Sequence, residues 1–307
     1  MTKAKLSEKI GYGFGDMSSS MFWKIFSYYL PFFYSNIFGL SLAHAGTLLL
    51  VTKLYDAISD PVMGLIADRT STRWGKYRPY LLWIALPFAI AGILAFYTPQ
   101  TDNYTFKHIY AYVTYILMMT VYTAINVPYG AMLGVVTDDS REKSVFSSFR
   151  MFFAFIGSFI SMGIFEPLLR LRSSIMGTLP EKWTIADSAP LDWTIALTVI
   201  GTICAILFFL TFAMTREHVT ESEMAKAEET HKEEKKNSIM EDLKALFCNA
   251  PWWLLLGGGI SLLLFNCIRG GAAAYYFADV LGVKAIYTLA IFLTIGEISQ
   301  LVGVVVT

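Results

Sequence analysis

The sequence predicts an all-α polytopic membrane protein with about eight transmembrane helices, and three observations predict it. Of its 307 residues, 55% are hydrophobic and only 16% charged, against about 25% charge in ordinary soluble domains. Mean hydropathy is +0.51. Apolar runs of the ~20 residues that span a hydrocarbon core recur along the whole chain. Lys and Arg collect in alternate loops, as they do when helices cross a bilayer back and forth.

The runs place helix 1 near residues 17–38, helix 2 near 43–67, helix 3 near 79–97 and helix 4 near 109–135. Helix 5 follows near 145–169, helix 6 near 193–214 and helix 7 near 252–281. Helix 8 starts near 285 and is still running at Thr307. The basic residues fix the threading. Lys3, Lys5 and Lys9 precede helix 1, and Arg69, Arg73, Lys76 and Arg78 fill loop 2–3. Arg141 and Lys143 lie in loop 4–5, and six more cations lie in 216–247. All fall on one side, while Lys107, Arg170, Arg172, Lys182 and Lys284 fall on the other. The rich side is expected to be cytoplasmic, together with the N-terminus. The first nine residues are polar and basic, and no small-residue cleavage site follows helix 1, so this helix is expected to be retained.

Residues 216–247 form the one long polar stretch, read as a solvated, partly helical cytoplasmic linker. It separates a transmembrane unit of six helices, 1–215, from the start of a second unit, 248–307.

Several function classes are excluded or disfavoured. A formal net charge of zero gives no bulk attraction to nucleic acid. Cys204, Cys248 and Cys267 are far apart and lack metal or redox spacing, so they read as apolar helix filler. No Walker motif, HExxH or nucleophile elbow is present, so neither ATP chemistry nor a catalytic centre is expected. The glycines of GYGFG, Gly11–Gly15, follow no strand. They read as a place where helix 1 packs closely or bends. Asn103-Tyr104-Thr105 fits a glycosylation acceptor, a pattern common by chance.

Ionisable groups at membrane depth cost a few kcal/mol on insertion scales, so each needs a cavity or a partner. Helix 2 reads VTKLYDAISDPVMG. Asp56 and Asp60 are four apart and share a face. Ser59 borders that face, Thr52 lies one turn above, and Lys53 is within reach of Asp56. Two close carboxylates repel unless a cation or proton neutralises them. Such a pair suits Na+ or H+, because hard cations prefer oxygen ligands. Pro61 also frees the carbonyl of Ala57. The competing reading is a structural ion pair of Lys53 with one acid, although one lysine cannot neutralise both.

Thr123 and Asn126, in the TVYTAINVPYG of helix 4, either complete a cation shell or make interhelical hydrogen bonds. Pro128 and Gly130 are capable of kinking this helix. Arg150 in helix 5 either snorkels to the cytoplasmic face or grips a carboxylate or hydroxyls. Arg269 lies deep in helix 7, beside Gly270–Gly271–Ala272. It either lines a site or pairs with an acid on a neighbouring helix. Asp16 and Lys24 in helix 1, Asp279 in helix 7 and Glu297 in helix 8 are weaker candidates.

Taken together, these stretches resemble the melibiose-permease group of glycoside–pentoside–hexuronide:cation symporters, within the major facilitator superfamily. The resemblance is carried by YGFG near the start, YDAISDPVMGLIADRTSTRWGKYRPY across helices 2–3, YTAINVPYG, SFRMFFAF and IRGGAAAYYF. It implies a major-facilitator-type bundle: six N-terminal helices, then the start of a C-terminal bundle, around a central cavity worked by alternating access. It implies a bacterial inner-membrane carrier that moves a sugar with Na+ or H+ and needs no other cofactor. It assigns the cation to Asp56 and Asp60, with Thr123 contributing. Asn126 stands where the melibiose carriers often have a third acid, which leaves H+ open beside Na+. The sugar-binding Lys–Asp pair of helix 1 aligns with Ser19 and Ser20, and a sugar-site tryptophan with Gly130, so galactoside specificity is not implied. Arg150 is kept, and Asp16 lies one turn before the serines. The expected substrate contacts are therefore Ser19, Ser20, Asp16, Arg150 and Arg269. The family has ~12 spanning helices, so either the gene product continues or the chain is a truncated carrier. A truncated carrier would serve as a sensor or interaction partner without transport. Which solute is carried and the oligomeric state are not readable from these residues.

Overall fold

Segments this apolar leave the backbone no water to bond with, so the chain satisfies its amides internally as helices. The computed structural model describes residues 4–218, apart from 102, 179, 181 and 182, residues 247–276, and a few positions between 292 and 299. Seven long helices lie among them: α1 (Leu6–Phe32), α2 (Leu42–Asp68), α3 (Arg78–Ala95), α4 (Tyr104–Val136), α5 (Ser140–Ile175), α6 (Pro190–Met214) and α7 (Ala250–Tyr275). Most of the expected helix 8, with Asp279 and Glu297, lies outside the described residues, as does nearly all of the 216–247 linker.

The helix starts follow local chemistry. The side chains of Ser41, Asn103 and Asp139 accept from the backbone N–H of His44, Phe106 and Arg141, capping α2, α4 and α5. Asn103 is thus an N-cap. Pro79 and Pro190 occupy first-turn positions of α3 and α6, where the missing N–H costs nothing. One expectation is corrected: helix 1 begins at Leu6 rather than near residue 17. The polar residues that hid its first turns are used rather than solvated. Glu8 meets His218 at 3.0 Å and Lys9 meets Glu142 at 2.8 Å. At its far end α1 passes Pro31 and widens into a π-turn, Phe33–Ile37, closed by Phe38 N–H to Phe33 O at 2.8 Å. α4 runs unbroken through Pro128 and Gly130.

α1 is central, packed against α5 and α6. α3 bridges α6 and α4, and α2 packs on α4. Lipid tails are as apolar as leucine, so helices in a bilayer associate by close van der Waals fit. Gly13 faces Phe153 and Gly15 faces Tyr129, where a Cβ would overlap the ring; Gly157 on α5 lies against the Met17 carbonyl. Above these contacts an aromatic core joins the helices. Phe33, Phe96 and Phe165 surround the buried Trp193, with ring centroids 5.2–6.0 Å away. Each such pair contributes about 0.5–1.5 kcal/mol beyond burial.

α3, α4, α5 and α6 are long and apolar enough to cross a membrane by length and composition. The ionisable residues of α1 and α2 lower their apolarity, and they build the site below. Leu54, Ile58 and Leu65 of α2 are exposed, as lipid-facing side chains are. The N-terminus, loop 2–3, loop 4–5 and the first residues after α6 gather at one end. Glu217, just after α6, accepts three backbone N–H bonds of 2.8 Å from Lys76, Tyr77 and Arg78 of loop 2–3. The Lys9–Glu142 and His218–Glu8 contacts draw the N-terminus and loop 4–5 to the same end.

Candidate cation and sugar site

α2 presents Asp56 and Asp60 on one face because they are one turn apart. α4 presents Thr123 and Asn126 in the same way, and the packing of α2 on α4 brings the two faces together. A cavity of about 360 Å³ lies there, lined by Trp23, Lys53, Asp56, Asp60, Tyr122 and Asn126 among others, with Thr123 also in its wall. Thr123 donates to Asp60 Oδ1 at 2.8 Å. Lys53 pairs with Asp56 Oδ2 at 3.1 Å, while Asp56 Oδ1 is buried with no hydrogen-bond partner.

Lys53 forms the ion pair, but it reaches one carboxylate only. Asp60 receives a neutral hydroxyl. The two acids and one lysine leave one negative charge, and an orphaned carboxylate oxygen beside it. Buried polar atoms are seldom left unpaired, and an orphan of this kind suits an incoming monovalent cation or proton. Among the described residues no group of three or more His, Cys, Asp and Glu side chains comes together. Of the other expected contributors, Thr52 is buried and bonds the Leu48 and Leu49 carbonyls, and the Ser59 hydroxyl bonds the Asp56 carbonyl. Neither lines the cavity.

The sugar-site candidates fall into layers between α1, α4 and α5. Trp23 packs on Tyr122 with centroids 5.4 Å apart. One turn away, Ser19 donates to Asn126 Oδ1 at 2.7 Å. One turn further, Asp16 Oδ2 accepts from Arg150 Nε at 3.0 Å, and the guanidinium covers the Tyr129 ring at 5.2 Å. Spacing explains the layers: 16, 19 and 23 share one face of α1, and 122, 126 and 129 share one face of α4. Arg150 therefore grips a carboxylate rather than snorkelling. Ser20 is half-buried beside this seam. Arg269 lies apart from the cavity, its guanidinium 5.7 Å from the Phe265 ring of its own helix, so the structure does not bring it to the other candidates.

Sequence reasoning missed Trp23 and Tyr122. Trp23 also carries the Lys53 ammonium over its ring at 4.5 Å, a cation–π contact that holds Lys53 beside Asp56. The signal available was the seven-residue interval from Asp16 to Trp23.

Comparison with known proteins places the chain among transporters. The family described as MFS/sugar transport protein matches residues 11–307. YagG of Escherichia coli (strain K12), named as a candidate glycoside/cation symporter, is 37% identical over 99% of this chain and 60% of its own length. The inner membrane symporter YicJ of the same organism is 36% identical over 97% of this chain and 59% of its own. The isoprimeverose transporter of Lactiplantibacillus pentosus is 31% identical over 94% of this chain and 58% of its own. The chain thus spans about 60% of the length of these relatives. The family and these names are all for transporters, not enzymes. This chain belongs to the MFS/sugar transport protein family, as a helical, polytopic membrane protein.

Proposed function

We propose that the protein takes part in cation-coupled symport of a sugar or glycoside by alternating access, with Asp56 and Asp60 binding the coupling Na+ or H+. The observation that carries this reading is the uncompensated acid. Lys53 neutralises one carboxylate, Thr123 orients the other, and Asp56 Oδ1 awaits a partner. A bound cation would remove the remaining charge, draw α2 and α4 together and favour the conformation that holds sugar. Sugar would tighten the cation by the same factor, since the coupling is reciprocal. The Ser19–Asn126 bond joins α1 to the α4 face that carries Thr123, which supports a physical link between the two ligands. The basic end would face the cytoplasm, in a bacterial inner membrane.

The test is uptake of labelled glycosides and pentosides into membrane vesicles from cells expressing the full gene product. A Na+ or a pH gradient is imposed separately. Gradient-driven accumulation that Asp60→Asn abolishes is the expected result. Accumulation unchanged by Asp60→Asn would sink the cation assignment.

A further inference from the structure

Among the described residues, Lys53 in the cavity wall and Arg150 of the neighbouring seam are each held by an acid of the chain. Lys53 is paired with Asp56 at 3.1 Å and held over Trp23. Arg150 is paired with Asp16 at 3.0 Å and held over Tyr129. Tyr122, which lines the cavity, lies within electrostatic range of Asp16, Arg150, Asp56 and Asp60 together, so the Arg150 pair belongs to the same electrostatic environment as the acid pair. Asp60 adds a negative charge that no lysine or arginine among the described residues pairs with.

A sugar carboxylate needs an unpaired cation to replace its lost hydration, and guanidinium is the side chain best shaped to supply one. Here a second carboxylate on Arg150 would place two anions on one cation, near a third. Like charges at such a site repel by several kcal/mol in a poorly screened environment. An uncharged sugar meets no such penalty, because its hydroxyls accept from and donate to the half-satisfied polar groups of the seam.

We propose that Asp16 is a specificity-determining residue. By neutralising Arg150 it excludes sugars that carry a carboxylate and leaves the site to uncharged glycosides. This rests on the sugar-transport reading of the same site. Asp16 would act through Arg150, as a positioning and charge-masking group.

The experiment measures uptake of matched pairs that differ only at C6, methyl glucoside against methyl glucuronide and methyl galactoside against methyl galacturonide. It compares the wild-type protein with Asp16→Asn, Asp16→Glu and the double variant Asp16→Asn/Arg150→Gln. The neutral member is expected to be taken up preferentially by the wild type. Asp16→Asn should raise the ratio of acidic to neutral uptake at least tenfold, Asp16→Glu should keep the wild-type ratio, and the double variant should lose the gain. Binding of the same four glycosides to the purified variants, followed by tryptophan fluorescence, keeps the test alive if Asp16→Asn is transport-dead. Preference of the wild type for an acidic member, or a ratio unmoved in Asp16→Asn, overturns the inference while leaving transport intact. Absence of saturable uptake or binding of every pair by the wild type removes the transport reading, and the inference with it.

Discussion

Thr123 on α4 donates a 2.8 Å hydrogen bond to Asp60 on α2, so the helix that carries the acids and the helix that faces them share a bond at the site of interest. Thr123→Val keeps the shape and removes the donor. Loss of one partner from a charged group costs about 1–3 kcal/mol. The empty carrier bears that cost, because the bond favours the ionised carboxylate, so the half-saturating cation concentration for uptake should fall by roughly five- to a hundredfold, with the maximal rate less affected. Titrating Na+ or H+ against initial uptake rate checks it.

Lys53 gives a prediction of the same sign. Its ammonium lies 3.1 Å from Asp56 and competes with any added cation. Lys53→Met should raise cation affinity by roughly tenfold, because a removed positive charge no longer opposes the incoming one. It should also slow the empty carrier's return, which slowed net uptake with counterflow exchange preserved would reveal. Weaker cation binding in Lys53→Met would contradict the arrangement.

At the basic end, Glu217 and Gly75 form one device. Gly75 holds φ +113° and its missing Cβ leaves room for the Glu217 carboxylate, whose nearest atom would lie 2.5 Å from that Cβ. Only glycine adopts this backbone easily. Glu217→Gln and Gly75→Ala should each lower the unfolding temperature in detergent by several degrees. The double variant should fall little further, because both remove the same set of bonds to loop 2–3. Additive losses would show that the two residues act separately.

Close packing supplies a contrast between two glycines. A Cβ on Gly157 would lie 2.5 Å from the Met17 carbonyl oxygen, a backbone atom that cannot turn aside, whereas a Cβ on Gly130 meets nothing within 4 Å. Gly157→Ala should destabilise by about 1–3 kcal/mol, the usual range for overpacking. Gly130→Ala should be neutral or mildly stabilising. Thermal unfolding of the two purified variants, side by side, decides it.

Much of this was legible in the residues. The spans of helices 2 to 6 and the sidedness of the loops follow from apolar run length and Lys/Arg placement, which are local properties. The Asp56–Asp60 face follows from one helical turn. The start of α1 was not legible, because Glu8 and Lys9 read as solvated until Glu142 and His218 were found beside them. The role of Arg150 was also open, since a helix-borne arginine reaches water or an acid with equal ease until its neighbour is known.

The sequence by itself determined the class of molecule, the helix count of the first unit and the acid pair, because hydropathy and helical period act over short stretches of chain. Only the tertiary structure decided which charges neutralise which. Lys53 with Asp56, Asp16 with Arg150 and Thr123 with Asp60 are pairings whose energies depend on distance and burial. Two of the three join residues more than sixty positions apart, which local pattern cannot bring together.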